Sequence, residues 1–176
     1  MSKKKPLTAA LFLSALFIVS PASALFAQRL GADAVLSGLT TLHPVFRYTE
    51  DGTPRPGGPE VRQLLSDVQG VLAGAGITIV GSAEFERLMG ARSYPIGVLE
   101  MDVSMSGHPE LDLKSYLLSL RIKQAVFLTR KPVVNFLGTT WESTDFGVAK
   151  DLTFVRGVAR DAAGRFIQEW SAQNAR

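Results

Sequence analysis

Apolar and polar residues alternate most regularly between Val98 and Met105. Leu99, Met101, Val103 and Met105 fall on one side and Glu100, Asp102 and Ser104 on the other. A repeat of two places them on opposite faces of a strand, one packed and one wet. Ser115 to Leu128 repeats the pattern, with Tyr116, Leu118, Leu120, Ile122, Val126 and Leu128 against Ser119, Arg121 and Lys123. A third strand, Val133 to Thr144, follows the turn Arg130-Lys131-Pro132, so the three predict an antiparallel meander. Elsewhere the repeat is helical. From Glu60 to Ala75, the residues Val61, Leu64, Leu65, Val68, Val71, Leu72 and Ala75 fall within about 120° of one another. After Asp151, a suitable cap, Leu152, Val155, Ala159, Ala162, Ala163, Phe166 and Trp170 form a narrower stripe on a helix ending near Gln173.

The segments between are shorter. Leu39 to Tyr48 carries β-formers interrupted by Pro44, which predicts an edge strand. Asp51 to Pro59 (DGTPRPGGP) predicts an exposed loop without a regular element. Gly76 stands where a left-handed helix stop is wanted, with a short buried strand, Ile77 to Val80, after it. Ser82 then caps a brief helix, Ala83 to Met89, and Asp145-Phe146-Gly147 reads as a turn. The order β-α-β-α-β-β-β-α predicts a two-layer α+β domain over residues 39–176, its meander packed by helices on one face.

The N-terminus changes how the charge is read. Lys3 to Lys5 precede an apolar run, Leu7 to Val19, then Pro21 and the small-x-small triplet Ala22-Ser23-Ala24. This predicts a secretory signal over residues 1–24, cleaved after Ala24, followed by a loosely structured leader, 25–38. The run is too short for a membrane-spanning helix, which needs about 20 residues. The net charge of +3 comes from 19 basic and 16 acidic residues, and removing Lys3, Lys4 and Lys5 leaves 16 against 16. A neutral mature chain has no bulk field to draw it to nucleic acid or anionic lipid, so no nucleic acid is expected, and with the short run removed no integral membrane segment is expected either. With no cysteine there is no disulfide framework, thiolate metal site or cysteine nucleophile.

Candidate chemistry is sparse. His108 and Glu110, with Asp112 beyond them and Met105 and Met101 upstream, offer imidazole, carboxylate and thioether for copper or zinc. The competing reading makes Met101 and Met105 core filler and His-Pro-Glu an exposed turn. Glu100 and Asp102 are spaced for acid-base work, yet a solvated strand face explains them as well. No Gly-x-Ser-x-Gly elbow accompanies His43 or His108, so no catalytic residue and no cofactor is assigned. Arg121, Lys123, Arg130 and Lys131, with Trp141, form a candidate partner-binding set; ion-pairing for the cations and a core position for Trp141 are the alternatives.

In the C-terminal half, Tyr116-x-Leu118-x-Leu120, Gln124-x-Val126-x-Leu128-x-Arg130-x-Pro132, Thr140-Trp141, Gly147 and Phe166-Ile167-x-x-Trp170-x-x-x-Asn174 resemble a widespread group of uncharacterised bacterial periplasmic proteins, over roughly residues 60–174. The step from Leu64 to Val80 through Ala75-Gly76-Ile77 is also distantly similar to the N-terminal domain of TolB. The resemblance implies a secreted α+β domain; the TolB likeness implies protein contacts within the envelope. The expectation is an exported, non-enzymatic binding or accessory module that docks on an envelope protein in the periplasm or beyond. A small-ligand or metal-binding protein is the alternative.

Overall fold

The structure, a computed structural model, describes residues 35–91, 96–108, 110–128 and 130–175, apart from the side chains at 111, 128 and 132–134. The expected signal, and the leader as far as residue 34, lie outside the described residues.

Chain order is β1 (Thr41–Glu50), β2 (Thr53–Pro54), α1 (Pro59–Gly74), β3 (Thr78–Ile79), α2 (Ser82–Gly90), β4 (Ile96–His108), β5 (Leu111–Leu128), β6 (Lys131–Ala149) and α3 (Leu152–Asn174). The fold is α+β, as the sequence pattern predicts. The sheet runs β2-β1-β4-β5-β6, with β3 also pairing β1. β4, β5 and β6 form the expected antiparallel meander, while β1 joins β4 in parallel along its full length, from Thr41↔Ile96 to Glu50↔Met105.

α1 and α3 cover one face. Val61, Leu64, Val68 and Leu72 of α1 and Val155, Ala159, Ala162 and Phe166 of α3 are buried against Leu42, Leu99, Met101, Leu118, Leu120 and Ile122. Asp151 caps α3 by accepting hydrogen bonds from the Thr153 and Phe154 amides (2.9 and 3.4 Å). Gly76 takes the left-handed conformation (φ +91°), and the Ile77 amide closes α1 on the Leu72 carbonyl at 3.2 Å.

Five expectations need correction. The loop Asp51 to Pro59 contains structure: Asp51 (φ +50°) and Gly52 (φ +74°) make a tight turn that pairs β2 with the end of β1, and Pro59 opens α1. Asp51 is also fixed to β4, its amide bonding the Met105 carbonyl (2.9 Å) and its carboxylate accepting the Gly107 amide (2.8 Å). Asp145-Phe146-Gly147 is strand, not turn; glycine stands at 147 because the Tyr116 ring lies 3.1 Å from where a Cβ would be. β3 is a two-residue parallel strand whose Thr78 is exposed, rather than a buried strand.

The helix α2 is capped by Gly81, not Ser82, and it leaves the other helices. Its Phe85 stacks on His43 (centroids 4.7 Å apart), which lies on the sheet face opposite α1 and α3. The described end of the leader is not loose. Leu36 is 1% exposed, its amide donates to Gln173 Oε1 (2.8 Å), and Asn174 accepts from the Gly38 amide (2.7 Å) while donating to the Leu36 carbonyl (2.9 Å).

Candidate interaction face

Among the described residues the second face of the sheet is covered by α2 at the His43 corner only, and the pairing register sets what the rest displays. Across β4, β5 and β6 its rows read Glu100-Arg121-Glu142, then Asp102-Ser119-Thr144, then Ser104-Leu117-Phe146. Val45, Arg47 and Thr49 of β1 extend them on the far side of β4. Charge therefore occupies the middle of the face and apolar groups occupy one end.

The charged middle is a closed network. Glu100 is only 5% exposed, and Arg47, Arg121 and Lys123 all pair with it. Arg47 also holds Asp102 through Nε (2.6 Å) and Nη2 (2.9 Å), and Arg121 bridges Asp102 (2.9 Å) to Glu142 (2.8 Å). Hydrogen bonding from Arg121 holds the Glu142 carboxyl below its ordinary range, and Glu142 in turn raises the Arg121 guanidinium. Three cations surround three carboxylates, so the middle of the face carries neither an excess charge to steer ions nor a free base. Glu100 is thus buried and ion-paired rather than solvated, and Asp102, about a quarter exposed, is ion-paired as well.

At the apolar end, Leu117 (48% exposed) and Phe146 (82%) are direct cross-strand partners. Val148 and Leu113 are exposed beside them on the same face. Isolated surface apolar residues need no explanation, but four adjacent ones on a sheet face form a patch. On the helix side lies a cleft of about 640 Å³ between β1, β5 and the N-termini of α1 and α3. Tyr48, Glu50, Arg55, Lys114 and Lys150 line it. Lys114 donates to Glu50 at 2.5 Å, which raises its pKa, while burial pushes the Tyr48 hydroxyl up.

The sequence-based sets are not assembled. Met105 is buried in the core, whereas His108 and Glu110 are exposed; His108 Nδ1 only accepts the Glu110 amide at 3.3 Å. Among the described residues no three His, Cys, Asp or Glu side chains could together hold a metal ion. The partner-binding set separates into three places. Arg121 and Lys123 are engaged in the charge network, Arg130 and Lys131 sit at the far end of the β5–β6 hairpin, and Trp141 is in the core, edge-on to Phe166 (centroids 5.2 Å). The sequence-based sets omit Arg47, Leu117, Phe146 and Val148. Continuing the alternation of β5 through Leu117 and extending β6 through residue 148 would have found the apolar ones.

The architecture is thus that of an α+β domain with one sheet face packed by two helices and the other, among the described residues, largely open. No family model matches this chain, and no curated protein matches it. Among solved structures it is similar to the PelC dodecamer from Paraburkholderia phytofirmans: 12% identity, TM-score 0.41, covering 81% of this chain and 93% of that one. A point variant of that dodecamer matches with 13% identity and TM-score 0.42, over 76% of this chain and 89% of that one. Among the described residues no helix is long and apolar enough to cross a membrane.

Proposed function

We propose that this chain is an exported, non-enzymatic accessory module that docks on an envelope protein through the apolar end of its open sheet face. The observation that supports this reading is the Leu117–Phe146 pair with Val148 and Leu113, apolar side chains left exposed on a rigid sheet. The charge network beside them suits the rim of such a contact, because its ions are already paired and need no desolvation to match a partner. A photo-crosslinking residue placed at Phe146 and, as a control, at exposed Arg62 of α1 tests it in cells expressing the full chain. A single discrete protein adduct at 146 and none at 62 is expected. Absence of an adduct at 146, or the same adducts at both sites, overturns the reading.

The cleft favours a second reading, a small polar ligand held by Tyr48, Arg55 and Lys114. In that case Lys114→Ala would abolish ligand-induced stabilisation in a thermal-shift screen of the purified chain, and Phe146→Ser would leave it unchanged.

A further inference from the structure

Among the described residues, pairing between β4 and β5 ends at Gly97↔Gln124, while β5 and β6 continue through Ala125↔Leu137, Val126↔Phe136, Phe127↔Asn135 and Leu128↔Lys131. At about 3.3 Å per residue this two-stranded arm extends roughly 13 Å past the sheet. Two strands alone are marginal in water even when their exposed surface is polar. Here that surface is apolar on both sides: Phe136 is 54% exposed and Leu137 45%. Being consecutive in a strand, they point to opposite faces.

The charge of the arm is equally one-sided. Residues 125–137 read AVFLTRKPVVNFL, with Arg130 and Lys131 as the charged groups and no acid. Both are exposed, and among the described residues neither forms an ion pair, in contrast to the cations of the charge network. We infer that the arm is a membrane-surface element, lying in the headgroup–acyl boundary of an anionic phospholipid bilayer with Arg130 and Lys131 at phosphate level. A folded partner covers one face of a thin ribbon, whereas the lipid boundary contacts both. The unpaired cations match anionic headgroups, and the effect is local, so it does not need a net charge on the whole chain. The ribbon lies along the interface because a tip-first entry would carry both charges and the unpaired strand edges into hydrocarbon.

The absence of cysteine allows one test on the full chain. An environment-sensitive NBD fluorophore is attached at Leu137→Cys or, as a control on the exposed first turn of α3, at Phe154→Cys, and circular dichroism verifies that each variant folds. Titration with phosphatidylglycerol-containing vesicles should shift the Leu137 probe to the blue and brighten it several-fold, with little change at 154 and little response to pure phosphatidylcholine. Adding Arg130→Gln with Lys131→Gln should weaken the response about 30-fold, from roughly 5-fold per charge near an anionic surface. A silent Leu137 probe, an equal response to phosphatidylcholine, or an equal response at 154 overturns the inference. So does a Leu137 probe that ignores vesicles but responds to lipid-free envelope protein, which would assign the arm to a protein partner.

Discussion

The two faces of the sheet are made by the same strands and held in different ways. On the helix side, Met101, Leu120 and Leu118 meet α1 and α3 in a core that excludes water. On the other side, one residue along each strand, Asp102, Arg121 and Glu142 are joined by paired charge. Packing makes the first face sensitive to volume. The second is sensitive to the sign of a group and tolerant of its size, except at its apolar end, where neither constraint operates on stability.

This contrast is broken most directly in the core. Phe166→Ala should cost about 3–5 kcal/mol, the usual consequence of deleting a buried aromatic, and Phe166 is fully buried with Trp141 against its edge. Denaturant unfolding measures it; a cost under about 1 kcal/mol would mean that α3 does not carry the core. On the open face, Glu100→Gln should cost about 2 kcal/mol, because it leaves three cations around a neutral group. That is below the ~3–5 of a fully buried pair because Arg47 is 59% exposed and can rehydrate. An unchanged urea midpoint would show the network to be ornamental.

Acid should act next. Hydrogen bonds from Gln63 and then Arg156 hold the Asp67 carboxyl below its ordinary value, and Arg121 does the same for Glu142. A carboxylate whose folded pKa is depressed contributes fully above the unfolded value, near ~4, and loses that contribution as pH falls through the folded one. Urea midpoints followed downward in pH should therefore drop below about pH 4, and Asp67→Asn should flatten part of the drop; an identical acid limb in the variant contradicts the assignment. The smallest effect is expected from Phe146→Ser, under about 0.5 kcal/mol in the same melts although it removes an 82%-exposed aromatic.

The packed face was the legible one. Alternation in β4 and the stripe of α3 are local patterns, so Leu99, Met101, Leu120, Val155 and Phe166 could be assigned to the core from spacing alone. The open face depends on partners far apart in sequence. Glu100 is buried because β1 runs parallel to β4 and delivers Arg47 from 53 positions away, which no local repeat reveals. Local spacing leaves Trp141 between two readings, and the extra residue of β6 near Ile122 and Lys123 sets its face. Gly147 looked like a turn signal because the reason for glycine there is a ring on the neighbouring strand.

The clasp between Leu36, Gly38 and the end of α3 has a consequence for how the chain reaches its folded state. Its hydrogen bonds span 136 to 138 residues, and the Trp170 indole closes on the Leu39 carbonyl (2.6 Å) across 131. Closing loops of that length raises the contact order and slows folding, even though the entropic cost grows only with the logarithm of length. A chain delivered from its N-terminus presents Leu36 and Leu39 among its first core residues, yet gains the groups that tie them only with the final helix. Their burial must wait until α3 has been made, so until then they are exposed to whatever keeps unfolded chains from aggregating.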